Sequence, residues 1–291
     1  MKILVTGGAG FIGSHLSEAL LENGREVYVI DNLSTGSMKN IEHLTGFRQF
    51  HFKKGSITNE RLMEKLVKKV DIIFHLAAAV GVKYIIDHPL ASIKTNVQGT
   101  ETVLRLADSL GKKKVFLAST SEIYGKDRGG RFTFAETDDR LLGPTTKWRW
   151  SYSCTKALDE FLSLAYYRER KLPVVIGRFF NTCGPRQSAR YGMVVPRFIK
   201  QALSGRPITV FGDGKQTRCF LYVGDAVSAI SALVDRKKAT GEIFNIGNPK
   251  GISILGLAEK VKKFTNSKSK IIFVPYEKAY KVGFEDMRHR K

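Results

Sequence analysis

Three cysteines in 291 residues are too few and too scattered to staple a fold. Cys154, Cys183 and Cys219 are odd in number and lack the spacing of a metal-binding set. A disulfide framework and a metal centre are therefore not expected, and the thiols read as free cysteines of a reducing cytoplasm. Long apolar runs are missing too, and none approaches the roughly 20 residues that span a bilayer. The opening Met1-Lys2-Ile3-Leu4-Val5 resembles the start of an export signal, but a glycine turn interrupts it too early to make an apolar segment. There is no internal repeat and no low-complexity linker. Acidic residues are the remaining shortage: 27 Asp and Glu stand against 48 Lys and Arg, a formal charge of +21. Such an excess suits a polyanion-binding surface. It also suits a lysine-rich solvated exterior. The clusters Lys53-Lys54, Lys68-Lys69, Lys112 to Lys114, Arg236 to Lys238 and Lys260 to Lys263 favour the second reading. Most sit at predicted helix ends, where cations oppose the helix dipole. Neither nucleic acid nor membrane is expected as a partner.

What is present is an alternation. Apolar content is 43% and charged content 26%, ordinary for a globular chain long enough for one large domain or two small ones. Strands are predicted at Ile3–Val5, Val27–Ile30, Phe47–Phe52, Asp71–Leu76, Lys114–Ala118 and Pro173–Arg178. Helices fall between them, over Phe11–Asn23, from a cap at Asn59 to Lys69, within Pro89–Leu110, and over Ser151–Arg170. This order predicts an α/β fold, a Rossmann-type doubly wound parallel sheet covered on both faces. After Phe180 the pattern breaks into shorter pieces at Ile208–Val210 and Arg218–Val223. A helix over Gly224–Val234 and a strand at Ile243–Ile246 read as a return to the sheet. Residues 1–180, rejoined by 224–247, are thus expected to form a dinucleotide-binding core. Residues 181–223 and 248–291 are expected to form a smaller C-terminal substrate-binding lobe. Asp127–Gly130 reads as a flexible loop tip.

Gly7, Gly10 and Gly13 follow the first strand and open the first helix, with Phe11 and Ile12 between the last two. Residues without Cβ let the backbone approach a phosphate, and the helix N-terminus offers free N–H groups. Asp31 ends the second strand beside Asn32, 18 residues after Gly13. A carboxylate there accepts ribose hydroxyls and repels a 2′-phosphate, which favours NAD over NADP. The fourth strand ends in His75-Leu76-Ala77-Ala78-Ala79, whose small residues allow close approach of a cofactor. His75 itself reads as a structural polar residue. Asn96, a poor helix former inside the long helix, either bonds backbone near the catalytic strand or faces solvent.

Tyr152 and Lys156 stand at i, i+4 on one helix face. A phenol with a pKa of about 10 is a weak base at neutral pH, and a neighbouring ammonium favours its ionised form. Thr120 and Glu122 lie where the fifth strand ends, the edge at which open α/β sheets bind ligands. Thr120 offers a hydrogen bond to a sugar hydroxyl, and Glu122, a carboxylate in the same turn, is a candidate catalytic group that moves a second proton.

These motifs resemble the extended short-chain dehydrogenase/reductases, specifically the NAD-dependent nucleotide-sugar epimerases, dehydratases and decarboxylases. The resemblance runs from Lys2 to about Arg290. It implies that Thr120, Tyr152 and Lys156 are catalytic and that Gly7, Gly10, Gly13 and Asp31 hold NAD. It places Ser56 and Ile57 near the adenine, with Ser56 where many relatives carry Asp. Arg178–Arg186 resembles a nucleotide-phosphate segment, which assigns Asn181 and Arg186 to the substrate. Phe211–Arg218 resembles the strand and turn that hold the nucleotide, and Arg197 joins that substrate set. Members begin alike: the tyrosine takes the 4-hydroxyl proton while C4 gives up hydride. The 4-keto sugar is then re-reduced from the other face, dehydrated across C5–C6, or decarboxylated. Thr120-Ser121-Glu122 resembles UDP-glucuronate decarboxylases and GDP-mannose 4,6-dehydratases, whereas Gly143–Tyr152 and Lys215–Phe220 resemble the decarboxylase of the aminoarabinose lipid-modification pathway, which adds Arg218 as a catalytic residue near the substrate's carboxylate or C5. Lys83 is a second candidate for that carboxylate, and as relatives with a basic residue there are uronic acid 4-epimerases, it keeps epimerisation open. The Ser-Pro that follows the fourth strand in xylose-forming decarboxylases is missing. The chain also stops at Lys291, short of the tail most relatives have, so either the chain is trimmed or the lobe is incomplete. A UDP-sugar substrate and a homodimer joined by the long helices are expected. The rival from another class is a non-catalytic relative that binds RNA or senses redox state; an intact Tyr152 and Lys156 argue against it.

Overall fold

Alternate residues of the first strand enter different cores. Ile3 and Val5 pack to one side and Leu4 to the other, all at most 1% exposed. A strand buried on both faces is what a helix-covered parallel sheet requires. The computed structural model describes residues 1–126, 133–189, 193–275 and 289–290. Its central sheet has seven strands: β1 (Lys2–Thr6), β2 (Glu26–Asp31), β3 (Phe50–Lys54), β4 (Ile72–His75), β5 (Lys114–Thr120), β6 (Val174–Phe179) and, much later in the chain, β11 (Ile243–Ile246). Their spatial order is β11-β6-β5-β4-β1-β2-β3, and all pairings are parallel. The order reverses direction at β1, so the crevice beyond the C-terminal ends of β1 and β4 is the expected ligand site.

Helices α1 (Phe11–Glu22) and α7 (Val223–Asp235) cover one face. Helices α2 (Glu60–Val67), α4 (Pro89–Ser109) and α5 (Arg149–Arg170) cover the other. The Asn59 side chain caps α2 by accepting from Leu62 N, and proline opens α4. A short helix, α3 (Val82–Asp87), joins β4 to α4. The remaining strands are small: β7 (Thr182–Cys183), β8 (Ile208–Phe211), β9 (Thr217–Cys219), β10 (Leu221–Tyr222), β12 (Gly251–Ser253), β13 (Ile271–Val274) and β14 (His289–Arg290). They pair as β10-β7, β12-β9-β14 and β13-β8. Strands β8 and β13 with α6 (Val194–Leu203) and α8 (Ile254–Phe264) enclose a separate core of Phe198, Ile208, Val210, Ala258 and Val261.

Several elements depart from the expectation. The third strand begins at Phe50 rather than Phe47, because Phe47 is exposed and the first buried aromatic is Phe50. Helices α3, α6 and α8 were not foreseen. The helix with Tyr152 starts two residues early, at Arg149. The predicted loop tip Asp127–Gly130 lies outside the described residues.

Candidate active site

The turn after β1 is shaped by what it cannot hold. Gly7 has φ +72°, and a Cβ there would meet the Ala77 backbone at 2.9 Å. A Cβ on Gly13 would come within 2.3 Å of the Gly7 carbonyl oxygen, and one on Gly10 within 3.0 Å of the same atom. The glycines therefore pack α1 directly onto the turn and against the end of β4. Asp31 Oδ2 accepts from Ala9 N at 3.0 Å and Oδ1 from Leu33 N at 2.7 Å. Burial pushes its carboxyl up, and these two backbone N–H groups pull it back. Asn32 is exposed and accepts from Ser34 N, while Ser56 Oγ pairs with Thr58 Oγ1 at 2.8 Å. Ile57 is buried against Gly99 of α4. Leu76, Ala77 and Ala78 are half-buried beside the turn. Glycine cradle, helix N-terminus and carboxylate together fit a dinucleotide.

A buried polar chain runs from this turn to α5. Thr6 Oγ1 accepts from Ala77 N at 3.1 Å and lies 2.8 Å from His75 Nδ1. His75 Nε2 lies 3.1 Å from Thr100 Oγ1 on α4. Burial, followed by the charge of Lys156, pushes the His75 imidazole down to about 3, so the ring is neutral. A neutral ring accepts at one nitrogen and donates from the other, so it links the Thr6 and Thr100 hydroxyls. Thr100 in turn faces Asp159, whose Oδ2 accepts from Lys156 Nζ at 2.8 Å. Asn96 does bond backbone: its Oδ1 accepts from Ala79 N at 2.8 Å, and Nδ2 donates to Thr155 Oγ1.

Tyr152 is half-buried and Lys156 2% exposed on α5, a helix that packs against both α4 and β5. Thr120 ends β5, and its hydroxyl accepts from Glu122 N at 3.2 Å to start a 3-10 turn over Ser121–Tyr124. Ser153 Oγ, next to Tyr152, donates to the Glu122 carbonyl at 2.8 Å. The Glu122 carboxylate pairs with buried Arg149 at 3.4 Å. Thr120, Glu122, Tyr152 and Lys156 thus lie along the junction of β5, its turn and α5; Arg149 pairs with Glu122 at one end of that stretch and Asp159 with Lys156 at the other, and the sequence reading passed over both. Asp159 had a legible sign, since it continues the Tyr152/Lys156 spacing by one turn.

The expected substrate residues divide. Asn181 Nδ2 donates to the Cys219 carbonyl at 3.1 Å, which brings Asn181 against β9 and so beside Arg218 in the chain. Arg218 sits on the middle strand of β12-β9-β14, opposite Ile252 and Arg290. Arg197 stacks 3.9 Å above the Phe211 ring and donates to the Thr209 carbonyl. Arg186 stands elsewhere: at φ +64° its guanidinium reaches α1 and pairs with Glu18 at 2.6 Å. Lys83 lies in α3, and its side chain is outside what is described.

A family model described as the NAD dependent epimerase/dehydratase family matches residues 3–247. The chain belongs to this family. Among its relatives, the UDP-N-acetyl-alpha-D-glucosaminuronate decarboxylase of Bacillus cytotoxicus is 48% identical over 291 residues, all of this chain and 88% of that protein. UDP-glucuronic acid decarboxylase 1 of Danio rerio is 37% identical over 279 residues, 94% of this chain but 63% of that one. The chain therefore spans a little under two thirds of the latter's length. Among solved structures, the UDP-glucuronic acid 4-epimerase of Bacillus cereus, in complex with UDP-glucuronic acid and NAD, superposes with a TM-score of 0.84 at 35% identity, covering 94% of this chain and 86% of that one. The UDP-glucose 4-epimerase of Thermotoga maritima with UDP-glucose gives 0.86 at 34%, with the same coverage.

Proposed function

We propose that the protein binds NAD and decarboxylates a UDP-hexuronic acid through a 4-keto sugar. The observation that carries this reading is the 48% identity, over the whole chain, to a decarboxylase of a UDP-linked hexuronic acid. Gly7, Gly10, Phe11, Ile12, Gly13, Asp31, Asn32, Ser56, Ile57, Leu76, Ala77, Ala78 and Asn96 line or support the cofactor cleft. NAD, when bound, supplies the hydride acceptor for C4. Tyr152 takes the proton of the 4-hydroxyl, with Lys156 favouring the phenolate. The resulting β-keto acid needs little help: the C5–C6 bond breaks, its electron pair moves into the enolate, and CO₂ leaves. Thr120 donates to the enolate oxygen, and Arg218 holds the carboxylate before it departs and its charge near C5 afterwards. A solvent proton returns to C5, and Tyr152 gives its proton back to O4 when hydride returns. Asn181, Arg197 and Phe211 hold the nucleotide.

A second reading, 4-epimerisation, draws support from the solved UDP-glucuronic acid 4-epimerase at 35% identity. Incubation with UDP-glucuronate, and separately with its 2-acetamido analogue, distinguishes the two. Release of CO₂ with a UDP-pentose supports decarboxylation. Unchanged mass with inverted C4 supports epimerisation. Tyr152→Phe is expected to lower kcat at least about 100-fold in either case, and wild-type turnover by this variant would remove Tyr152 as the base. We further propose a cytoplasmic homodimer joined through α4 and α5, whose outer faces leave Leu90, Leu158 and Phe161 48–65% exposed.

A further inference from the structure

The face of α5 that carries Tyr152 and Lys156 continues to Asp159. Lys156 and Asp159 form an ion pair at 2.8 Å, with side chains 2% and 1% exposed. Desolvating two charges is costly, and well-packed apolar residues in their place are often as stable. The second carboxylate oxygen, Oδ1, is buried with no hydrogen-bond partner among the described residues, which adds to that cost. Stability alone therefore does not explain the carboxylate.

The surroundings show what the pair can do. On α5 itself the neighbouring ionisable groups are Tyr152 and Glu160. Glu160 is matched by Arg178 of β6 at 2.7 Å. From β4 comes His75, which is neutral. From α4 come the Thr100 hydroxyl and the Asn96 amide. From β5 and its turn come Ser119, Thr120 and Glu122, the last paired with Arg149. Helix α3 carries Tyr84, and exposed Asp87 and His88 lie at its end. Among the described residues, Asp159 is the carboxylate that answers the Lys156 ammonium.

We propose that Asp159 is a positioning residue for proton transfer at Tyr152: it anchors the Lys156 ammonium and offsets part of that ammonium's field at the phenol. The inference rests on Tyr152 being the base, as proposed above. An ammonium without its carboxylate favours the phenolate more strongly. Removing the carboxylate therefore moves the phenol's ionisation to lower pH, while the loosened lysine slows turnover.

The test uses Asp159→Asn in the full-length protein purified with NAD, and Asp159→Ser where Asn fails to fold. The ascending limb of the kcat/KM profile should move down by about 0.5–1 pH unit. The kcat should fall about 10-fold, with KM for the sugar nucleotide unchanged. Asp159→Glu should return the limb to its original pH while kcat stays lowered. A second readout is the ultraviolet phenolate titration of Asp159→Asn minus that of Asp159→Asn/Tyr152→Phe, which reports the phenol without turnover. An unmoved limb and an unmoved phenolate transition in a folded variant overturn the proposal, as does a limb displaced equally by Asp159→Glu. If Tyr152→Phe keeps its turnover, the base assignment fails instead, and the phenolate titration still measures what Asp159 does to Tyr152.

Discussion

A methyl group at Gly13 has nowhere to go, because the Gly7 carbonyl oxygen stands 2.3 Å from where it would sit. Gly13→Ala is expected to cost about 1–3 kcal/mol and to abolish NAD retention, read by thermal melting and by the cofactor content of the purified protein. His75 makes a different prediction. Its folded pKa of about 3 lies below the ordinary value of 6.5. The unfolded chain therefore takes up the proton first. The stability this neutral ring provides is whole above about pH 6.5 and is lost as pH falls toward 3. Denaturant titrations between pH 7 and pH 4.5 should show a slope approaching about 1.4 kcal/mol per pH unit from this group. His75→Gln should flatten that slope; an unchanged slope would mean the imidazole is not a neutral link in the chain from Thr6 to Thr100.

Between elements, one tie under α5 is Arg178 on β6, which donates to both carboxylate oxygens of Glu160, at 3.0 and 2.7 Å. Glu160 also accepts from Ser119 Oγ on β5. Arg178→Met leaves Glu160 buried and unpaired, and should cost about 3–5 kcal/mol. Arg178→Met/Glu160→Leu should recover most of that in the same chemical denaturation assay. Such ties show where sequence reading stops. The parallel sheet was legible because Ile3–Val5, Val27–Ile30 and Val174–Ile176 are short apolar runs separated by helical spacing. Tyr152 and Lys156 were legible because four residues on a helix make neighbours by geometry. Helix α3, at six residues, is too short to show a period. The third strand slipped because an exposed phenylalanine reads like a buried one. The partners of Arg178 and Arg186 were not readable at all: Glu18 is 168 residues from Arg186, and only the folded sheet brings them together.

At the scale of the molecule, part of the positive charge has a structural use. Lys112 Nζ donates to the Arg170 carbonyl, Lys114 Nζ to that of Val234 and Lys171 Nζ to that of Arg168. These are carbonyls at the ends of α5 and α7, where the helix dipole is negative. This accords with the solvated-exterior reading of the +21 charge. The exposed apolar side chains of α5 bear on assembly. Leu158→Glu/Phe161→Glu is expected to convert a dimer to monomers in size-exclusion chromatography without altering the helix content. A wild-type chain that already elutes as a monomer would remove the proposed interface.

Strand β11 closes the sheet beside β6, yet it is made more than sixty residues after β6. A nascent chain that has reached the end of β6 carries Val174, Val175 and Ile176 on an open border. Residues 180–242, with α6, β8 and α7 among them, must be made before Ile243–Ile246 arrives to seal that border. Asn245 then locks the closure by donating to the Phe134 carbonyl and accepting from the Tyr124 hydroxyl at 2.7 Å. The half-made protein is therefore sticky along one margin until residue 246 is made, and that interval is when a chaperone has work to do.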